Sequence, residues 1–164
     1  MHVRLATTDD AEAIRTIYNV EVETNTVNFD LRPRTLDEQR RWLIDRSGAH
    51  AVIVADTGDS LAGFASLSPY KEKPAYNTSV ENSIYVSREH QGTGVGSLLL
   101  DELCRLSDSH GFHAMFARIV GNHEASINLH RKHGFELVGV EREVGRKFGR
   151  WLDVALMQRL AASS

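Results

Sequence analysis

The sequence has 164 residues, of which 41% are apolar and 25% are charged, a balance that predicts one globular domain, 1–164, with a full hydrophobic core. The formal net charge is -3 and basic residues mix with acidic ones along the chain, so we expect no nucleic acid as a partner. The N-terminus turns polar too early for a signal peptide, and no apolar run reaches membrane-spanning length, so we expect a cytoplasmic protein without membrane contact.

The first third of the chain predicts a strand followed by two helices. Asp9 and Glu12 have the spacing of a helix cap, and the helix that they open should end near Thr24. The polar, irregular stretch 25–34 follows and is a candidate binding element. The predicted elements are a strand at 3–6, a helix at 9–24, and a second helix from residue 35 that carries Trp42, Leu43 and Ile44 inward.

The middle of the chain predicts three strands and a long helix. Residues 51–55 and 61–67 flank a glycine-containing turn, 56–60, and should pair as an antiparallel hairpin. A further strand, 80–86, runs into a glycine-rich turn that opens a helix at 95–110. The junction between this strand and this helix is the most informative place in the sequence.

The last third predicts a strand at 114–120, a helix at 125–133, and two strands at 135–144 and 151–158 joined by 145–150. The complete order is therefore βαα, three strands, αβα, and two strands. The one cysteine, Cys104, lies in a leucine-rich helical stretch, where a buried apolar role is favoured over a nucleophilic one.

The turn from Gln91 to Gly96 suits a phosphate ligand. Its glycines let the backbone approach a ligand closely, and the first N–H groups of the following helix have no partners within the helix. A Lys-Ser/Thr pair does not follow the glycines, and the spacing is not that of a dinucleotide fingerprint, so neither common nucleotide motif applies. A purely steric role for the glycines stays open at this point.

The spacing of Gln91, Gly94 and Gly96 resembles the pyrophosphate loop of GNAT acetyltransferases, and the order of elements around it is similar to that fold. Within that superfamily the sequence most resembles the phosphinothricin and methionine sulfoximine N-acetyltransferases. The stretches that carry this resemblance are 26–29, 75–76 with Glu81, 85–91, 125–130 and 145–153.

The resemblance implies an α/β (α+β) GNAT fold, in which a mixed, mostly antiparallel seven-stranded sheet is flanked by four helices and two strands splay at the acetyl-CoA site. It also implies acetyl-CoA as cosubstrate, with pantetheine on strand backbone and pyrophosphate on the glycine turn. An asparagine of the family is replaced here by His123, so either this residue or Asn122 contacts the cofactor. The implied cofactor contacts are Ile84, Tyr85, Val86, Gln91, Gly92, Thr93, Gly94, Val95, Gly96, Ser97, Asn122, His123 and Ser126.

The resemblance further implies that Glu81 is the general base and that His130 protonates the departing thiolate. An amine attacks a thioester only as the free base, which is why a proton acceptor is needed. A backbone N–H at Tyr85 or Val86 would stabilise the developing oxyanion. Two plainer interpretations stay open, namely that Glu81 faces solvent and that His130 only packs its helix against the sheet.

The implied acceptor pocket holds a small amine, with lysines where the family has an arginine. Lysine is a point charge and does not bind a carboxylate in a fork as arginine does. The 145–151 segment implies a homodimer, and no metal is expected, since the spacing of the helical histidines matches no common ligand pattern. The implied substrate contacts are Asn28, Phe29, Lys71, Lys73, Tyr76, Glu81 and Asn82.

These features predict an acetyl-CoA-dependent N-acetyltransferase that acts on a small amino-acid-like substrate. Two alternatives remain. The same machinery serves acetylation of a protein or peptide amine, which requires an open groove, and a non-catalytic acyl-CoA-binding sensor requires the fold without turnover.

Overall fold

The computed structural model describes residues 1–46 and 48–162 and contains a seven-stranded sheet with the strand order β1-β2-β3-β4-β5-β7-β6. All neighbouring strands pair antiparallel except β4 and β5, which run parallel. The strands are β1 (His2–Leu5), β2 (Val52–Asp56), β3 (Leu61–Pro69), β4 (Ser79–Val86), β5 (Ala114–Val120), β6 (Glu136–Lys147) and β7 (Arg150–Leu160).

Within the described residues, four α-helices cover the two faces of the sheet, and the predicted order of elements is confirmed. One face packs against α1 and α2, and the other packs against α3 and α4. Both layers are needed, because a sheet that is apolar on both faces must be covered on both. The helices are α1 (Ala11–Thr24), α2 (Leu36–Ile44), α3 (Val95–Ser109) and α4 (Glu124–Lys132).

Two local predictions about the first helices were wrong. The chain enters α1 through a short 3₁₀ turn in which Thr7 and Asp10 form the capping box, so Asp9 and Glu12 do not cap the helix. Ile44 is 67% exposed, whereas Leu43 is buried, because α2 ends at Ile44 and only its inner face reaches the core. The predicted start of the second helix at Thr35 is confirmed, and Thr35 and Glu38 form a capping box there.

The last two strands form a longer hairpin than the sequence predicted. The segment 145–150 was expected to be a connection, but pairing continues to Lys147 and Arg150 and leaves a two-residue turn. Phe148 and Gly149 in that turn have φ values of 52° and 70°. Positive φ at both central positions is the pattern of a type I′ turn, whose twist matches that of paired strands. Residues 145–147 are thereby part of strand β6 and pair with residues 150–152 of β7.

Candidate active site

The parallel strands β4 and β5 separate part of the way along the sheet. Their described pairs run from Ser79 with Ala114 to Glu81 with Phe116, while β4 itself continues to Val86. Beyond Glu81 the β5-facing edge of β4 therefore borders a gap, although its other edge stays paired with β3. This gap is the splay that the resemblance implied.

Consecutive residues of β4 serve opposite faces of the sheet at this gap. Ile84 and Val86 pack against the core beneath α3 and α4, whereas Tyr85 packs among the residues of α1 and α2. Because side chains alternate along a strand, Glu81 lies on the Tyr85 side, and Asn82 lies on the Ile84 side. One strand thus presents different chemistry to each side of the gap.

Backbone donors of β4 alternate in the same way, which distinguishes the two candidate oxyanion donors. The N–H of Ser87 donates to the carbonyl of Ala62 on β3 at 2.8 Å. Two residues earlier, the amide of Tyr85 also faces β3, opposite Phe64. The N–H of Val86 therefore faces the gap, and this geometry favours Val86 over Tyr85 as a donor to a bound carbonyl.

The glycine turn at the start of α3 has the conformation that its sequence indicated. Gly92 and Gly94 have φ values of 74° and 92°, in the region that favours glycine. Gly94 caps α3 and has no side chain to occupy the first N–H groups, so these groups and the positive end of the helix dipole stay available to an anion. Gln91 braces the turn from β4 through its Nε2, which donates to the Val86 carbonyl at 3.4 Å.

The rest of the turn is held by two hydroxyl contacts. Thr93 donates its hydroxyl to the carbonyl of His90 at 2.5 Å, and Ser97 lies 3.2 Å from Nε2 of His133 on α4. Gly96 passes close to α4, where an added Cβ would lie 3.2 Å from Leu129. Val95 is buried beneath the turn. The turn is therefore a rigid cradle of backbone N–H groups.

Glu81 is a half-buried carboxylate at the point where the gap begins. Burial raises its pKa above the ordinary range, and the positive charge of Arg118 offsets part of that rise. A raised pKa makes a carboxylate a better proton acceptor near neutral pH. The solvent-facing interpretation of Glu81 is not supported by this environment.

Aromatic side chains line the sheet beside Glu81. The ring of Phe116, whose residue pairs with Glu81, stacks on Tyr70 with centroids 4.1 Å apart. Tyr70 also meets Tyr76 edge-on at 5.8 Å, and the Lys71 ammonium lies 5.2 Å from the Tyr70 ring centroid. Sequence reasoning named Lys71 and Tyr76 but missed Tyr70 and Phe116, although the alternation of β5 places Phe116 next to the gap.

Arg118 is a third residue that sequence reasoning missed. Arg118 follows Phe116 by two positions, so both side chains lie on the same face of the sheet. Glu81 of β4, which pairs with Phe116, lies on that face too. Its guanidinium pairs with Glu141 of β6 at 2.5 Å and is partly exposed. The positive charge of Arg118 is therefore present on the Glu81 side of the gap.

On the other face, His130 is buried on α4 with both ring nitrogens close to oxygen atoms. Nδ1 lies 2.7 Å from the carbonyl of Ser126, and Nε2 lies 3.1 Å from Oδ1 of Asn82. Burial lowers the pKa of the imidazole. His130 and Glu81 thus flank the start of the gap from opposite sides of the sheet.

The loop between α1 and α2 is fastened to the β6–β7 hairpin by two contacts. Nζ of Lys147, which is 2% exposed, donates to the backbone carbonyl and to Oδ1 of Asn28 at 3.2 and 3.0 Å. The Phe29 ring lies over Gly145, where an added Cβ would be 2.2 Å from the ring. Burial lowers the pKa of the Lys147 ammonium. Asn28 and Phe29 are therefore held against the β6–β7 hairpin by Lys147 and Gly145, residues that the sequence analysis assigned to a connection.

Most of the remaining predicted contacts are exposed residues next to short helical elements. Asn122 and His123 are both exposed where α4 begins, and Lys73 is exposed before a short 3₁₀ turn that contains Tyr76. Ser126 is partly buried one turn before His130. Asn122 and His123 both lie between β5 and α4 and both are exposed, so exposure does not distinguish them.

Two other kinds of chemistry find no support in the described parts of the chain. Residues 1–46 and 48–162 contain no cluster of three or more His, Cys, Asp or Glu side chains that could hold a metal ion. Cys104 is buried, and burial raises the pKa of its thiol to about 11, so it is a protonated thiol at neutral pH. Within the same residues, no helix is both long and apolar enough to cross a membrane.

Residues 3–156 match a family model described as an acetyltransferase (GNAT) domain. The phosphinothricin N-acetyltransferase of Streptomyces coelicolor is 40% identical over 163 residues, which cover 97% of this chain and 95% of that protein. The L-methionine sulfoximine/L-methionine sulfone acetyltransferase of Pseudomonas aeruginosa is 35% identical over 95% of this chain and 92% of its own length.

Solved structures agree over nearly the whole chain. A phosphinothricin acetyltransferase from Sinorhizobium meliloti in complex with AcCoA superposes with a TM-score of 0.93 at 37% identity, covering 97% of this chain and 87% of that one. A structure named ribosomal-protein-alanine N-acetyltransferase from Brucella melitensis superposes with a TM-score of 0.96 at 35% identity, covering 98% and 100%. The names of these relatives include both small-molecule and protein acceptors.

Proposed function

This chain belongs to the GNAT acetyltransferase family, and we propose that it transfers the acetyl group of acetyl-CoA to the primary amine of a small, amino-acid-like substrate of the phosphinothricin or methionine sulfoximine type. The observation that carries the proposal is the half-buried carboxylate of Glu81, with its raised pKa, at the start of the β4–β5 gap. The aromatic side chains beside it suit an acceptor of limited size.

The residues around the gap fit acetyl-CoA. The free N–H groups from Gly92 to Ser97 suit a pyrophosphate, and the β5-facing backbone from Ile84 to Val86 suits the amides of a pantetheine arm. Asn122 or His123, with Ser126, would complete this side from α4. When bound, acetyl-CoA supplies the acetyl group as a thioester, which is activated toward attack by an amine.

Glu81 would act as the general base. It takes the proton that the substrate ammonium must lose before nitrogen can bond to the acetyl carbon. The N–H of Val86 would stabilise the negative charge that develops on the carbonyl oxygen. As the carbon–sulfur bond breaks, His130 would give a proton to the leaving sulfur from the opposite face. Direct transfer of this kind needs no covalent enzyme intermediate, in agreement with the protonated, buried Cys104.

The acceptor would lie on the face of the sheet that carries Glu81. Tyr76 and Phe29 would flank it, Asn28 would offer its amide, and Lys71 and Lys73 would attract a carboxylate or phosphinate group. The contacts that hold the 25–34 loop on the hairpin, and the stacking of Tyr70 on Phe116, support this arrangement.

We also propose a homodimer in which the β6–β7 hairpin forms part of the contact. Large apolar side chains on this hairpin are about half exposed, as is typical of a surface that is covered in an assembly. Light scattering of the purified protein tests this, with Trp151→Glu expected to shift the mass toward the monomer. The exposed side chains are Leu137, Val138, Val140, Val144, Phe148 and Trp151.

The test is release of CoA thiol from acetyl-CoA with phosphinothricin, methionine sulfoximine, a panel of L-amino acids, and peptides with an N-terminal alanine. Turnover with a small amine, at a kcat/KM well above that of any peptide, is the expected result. Turnover with peptides alone would favour the protein-acceptor alternative, which the name of the Brucella melitensis neighbour supports. Binding of acetyl-CoA without any turnover would leave the sensor alternative.

A further inference from the structure

Asn82 occupies the position where the β4–β5 ladder ends. Its side chain is buried, and its Nδ2 donates to the carbonyl of Phe116, the last β5 residue that pairs with β4, at 3.3 Å. Because Nδ2 is used in this bond, Oδ1 faces α4, where it lies 3.1 Å from Nε2 of His130. One amide therefore joins the end of the parallel ladder to the buried histidine.

The ring of His130 consequently lies between two acceptors. The Ser126 carbonyl accepts at Nδ1, and Oδ1 of Asn82 accepts at Nε2. A neutral imidazole has one N–H and an imidazolium has two, so only the protonated ring donates at both ends. The Phe135 ring meets the imidazole edge-on at 5.0 Å and adds to its burial. The acceptor on Asn82 thus opposes the effect of burial, which favours the neutral ring.

The charged groups around His130 do not take over this role. His133 on the same helix lowers the pKa of His130 through its charge, and His133 itself pairs with Asp101 of α3 at 2.9 Å. Glu81, the nearest acid along β4, lies on the opposite face of the sheet. Asn82 is therefore the group on β4 that contacts the ring directly.

We propose that Asn82 is a positioning residue that acts through His130: its Oδ1 accepts from the Nε2–H of the imidazole, which keeps the ring protonated and in place until Nε2 gives this proton to the leaving sulfur and the ring becomes neutral. This differs from the substrate contact that the family resemblance implied for Asn82, a prediction that stays untested. The inference rests on the proposed function for its catalytic consequence. It is supported by the side of the sheet on which Asn82 lies, since an acceptor deprotonated by Glu81 lies on the other side.

The first experiment follows the His130 ring by NMR titration and needs no turnover. Asn82→Leu has a similar volume but no acceptor, so the pKa of His130 should fall below its wild-type value. Asn82→Asp keeps the acceptor and adds a negative charge, so the pKa should rise. Asn128→Leu changes an exposed residue on α4, the helix that carries His130, and should leave the titration of His130 unchanged. Unchanged titration in both Asn82 variants would overturn the proposal.

The second experiment is a kinetic double-mutant cycle with His130→Gln. Asn82→Leu alone should lower kcat by about 10-fold or more, less than the roughly 10²–10⁴-fold that a general acid–base group itself contributes, and leave the KM for the amine within about twofold. In the His130→Gln background the same change should lower kcat by less than about twofold, because coupled residues are non-additive. A raised amine KM that persists without His130 would instead identify Asn82 as a substrate contact.

The two experiments separate this inference from the proposed function. If the wild-type protein acetylates no amine, the proposed function fails, and the NMR titration still decides whether Asn82 controls His130. If the wild type acetylates a small amine but His130 titrates identically in all variants, only the present inference fails. Should Asn82→Leu not fold, Asn82→Asp retains the opposite and equally specific shift.

Discussion

Replacing Gly145 by alanine should weaken binding of the amine substrate without affecting acetyl-CoA. The new Cβ would lie 2.2 Å from Cζ of Phe29, and ordinary contacts begin near 3.4 Å, so the ring must retreat by about 1.2 Å. Forced repacking costs about 1–3 kcal/mol, and the 39% exposure of Phe29 lets the ring swing outward, which favours the lower end. A loss near 1 kcal/mol is about a fivefold change in an equilibrium constant.

We therefore expect the KM for the amine to rise by about fivefold, while the KM for acetyl-CoA stays within about twofold. Gly139→Ala is the matched control, because Gly139 lies on the same strand with no atom within 4 Å of an added Cβ among the described residues. Steady-state kinetics with both substrates varied measure the two KM values, and urea unfolding measures any change in the free energy of unfolding.

The coupling between the two residues gives the decisive result. In a Phe29→Ala background the Gly145→Ala change should have almost no further effect, because the group that it displaces is absent. The reasoning is refuted if Gly145→Ala leaves the amine KM at its wild-type value, or if Gly139→Ala raises it equally. A rise in the KM for acetyl-CoA would also contradict it, since the proposed cofactor contacts on β4 and α3 do not include Phe29 or Gly145.

Three further predictions concern charged groups. Glu81→Gln should lower kcat/KM at pH 7 by about 100-fold or more, with partial recovery at high pH, where the amine is already neutral. The change should not lower stability to urea, because burial disfavours the charged carboxylate of the native state at pH values above its unfolded pKa. Arg118→Gln should raise the pKa of Glu81 further, so the acidic limb of the kcat/KM profile should move to higher pH, which a pH series with Glu141→Gln as comparison measures. Asp10→Asn should lower the free energy of unfolding by about 2 kcal/mol at pH 7, because it removes the ion pair with Arg4. Arg4 depresses the pKa of Asp10, so the difference in unfolding free energy from wild type should disappear as pH falls through that lowered pKa. A difference that stays constant with pH would contradict the ion-pair explanation.

The order of elements was predictable because each carries a local signal. Alternation identified the strands, and the glycines at 58, 94 and 111, all with positive φ in the structure, marked turns and helix ends. The conformation of the turn from Gln91 to Gly96 could be predicted equally well, since these residues are contiguous and the conformation depends on their glycines.

The acceptor side could be predicted only in part, because its residues meet across the sheet. Arg118 has no motif around it, and its proximity to Glu81 follows from the register of β4 and β5, which the sequence does not specify. Lys147 was assigned to a connection because its neighbours are polar and glycine-rich. Its burial depends on a partner, Asn28, that lies 119 positions away along the chain.

That separation has a consequence for how the two halves of the site form. The cofactor turn joins β4 to α3 within a few residues, so its shape is local and should appear as soon as these two elements pack. The contacts of Asn28 and Phe29 with the β6–β7 hairpin, in contrast, form only when the loop before α2 meets that hairpin. Bringing these two distant segments together has a high entropic cost. We therefore expect amide protons of the 25–34 loop to exchange with solvent through local openings that leave the amide protons of α3 protected. In such an opening the proposed amine site would be lost while the proposed acetyl-CoA site stays intact.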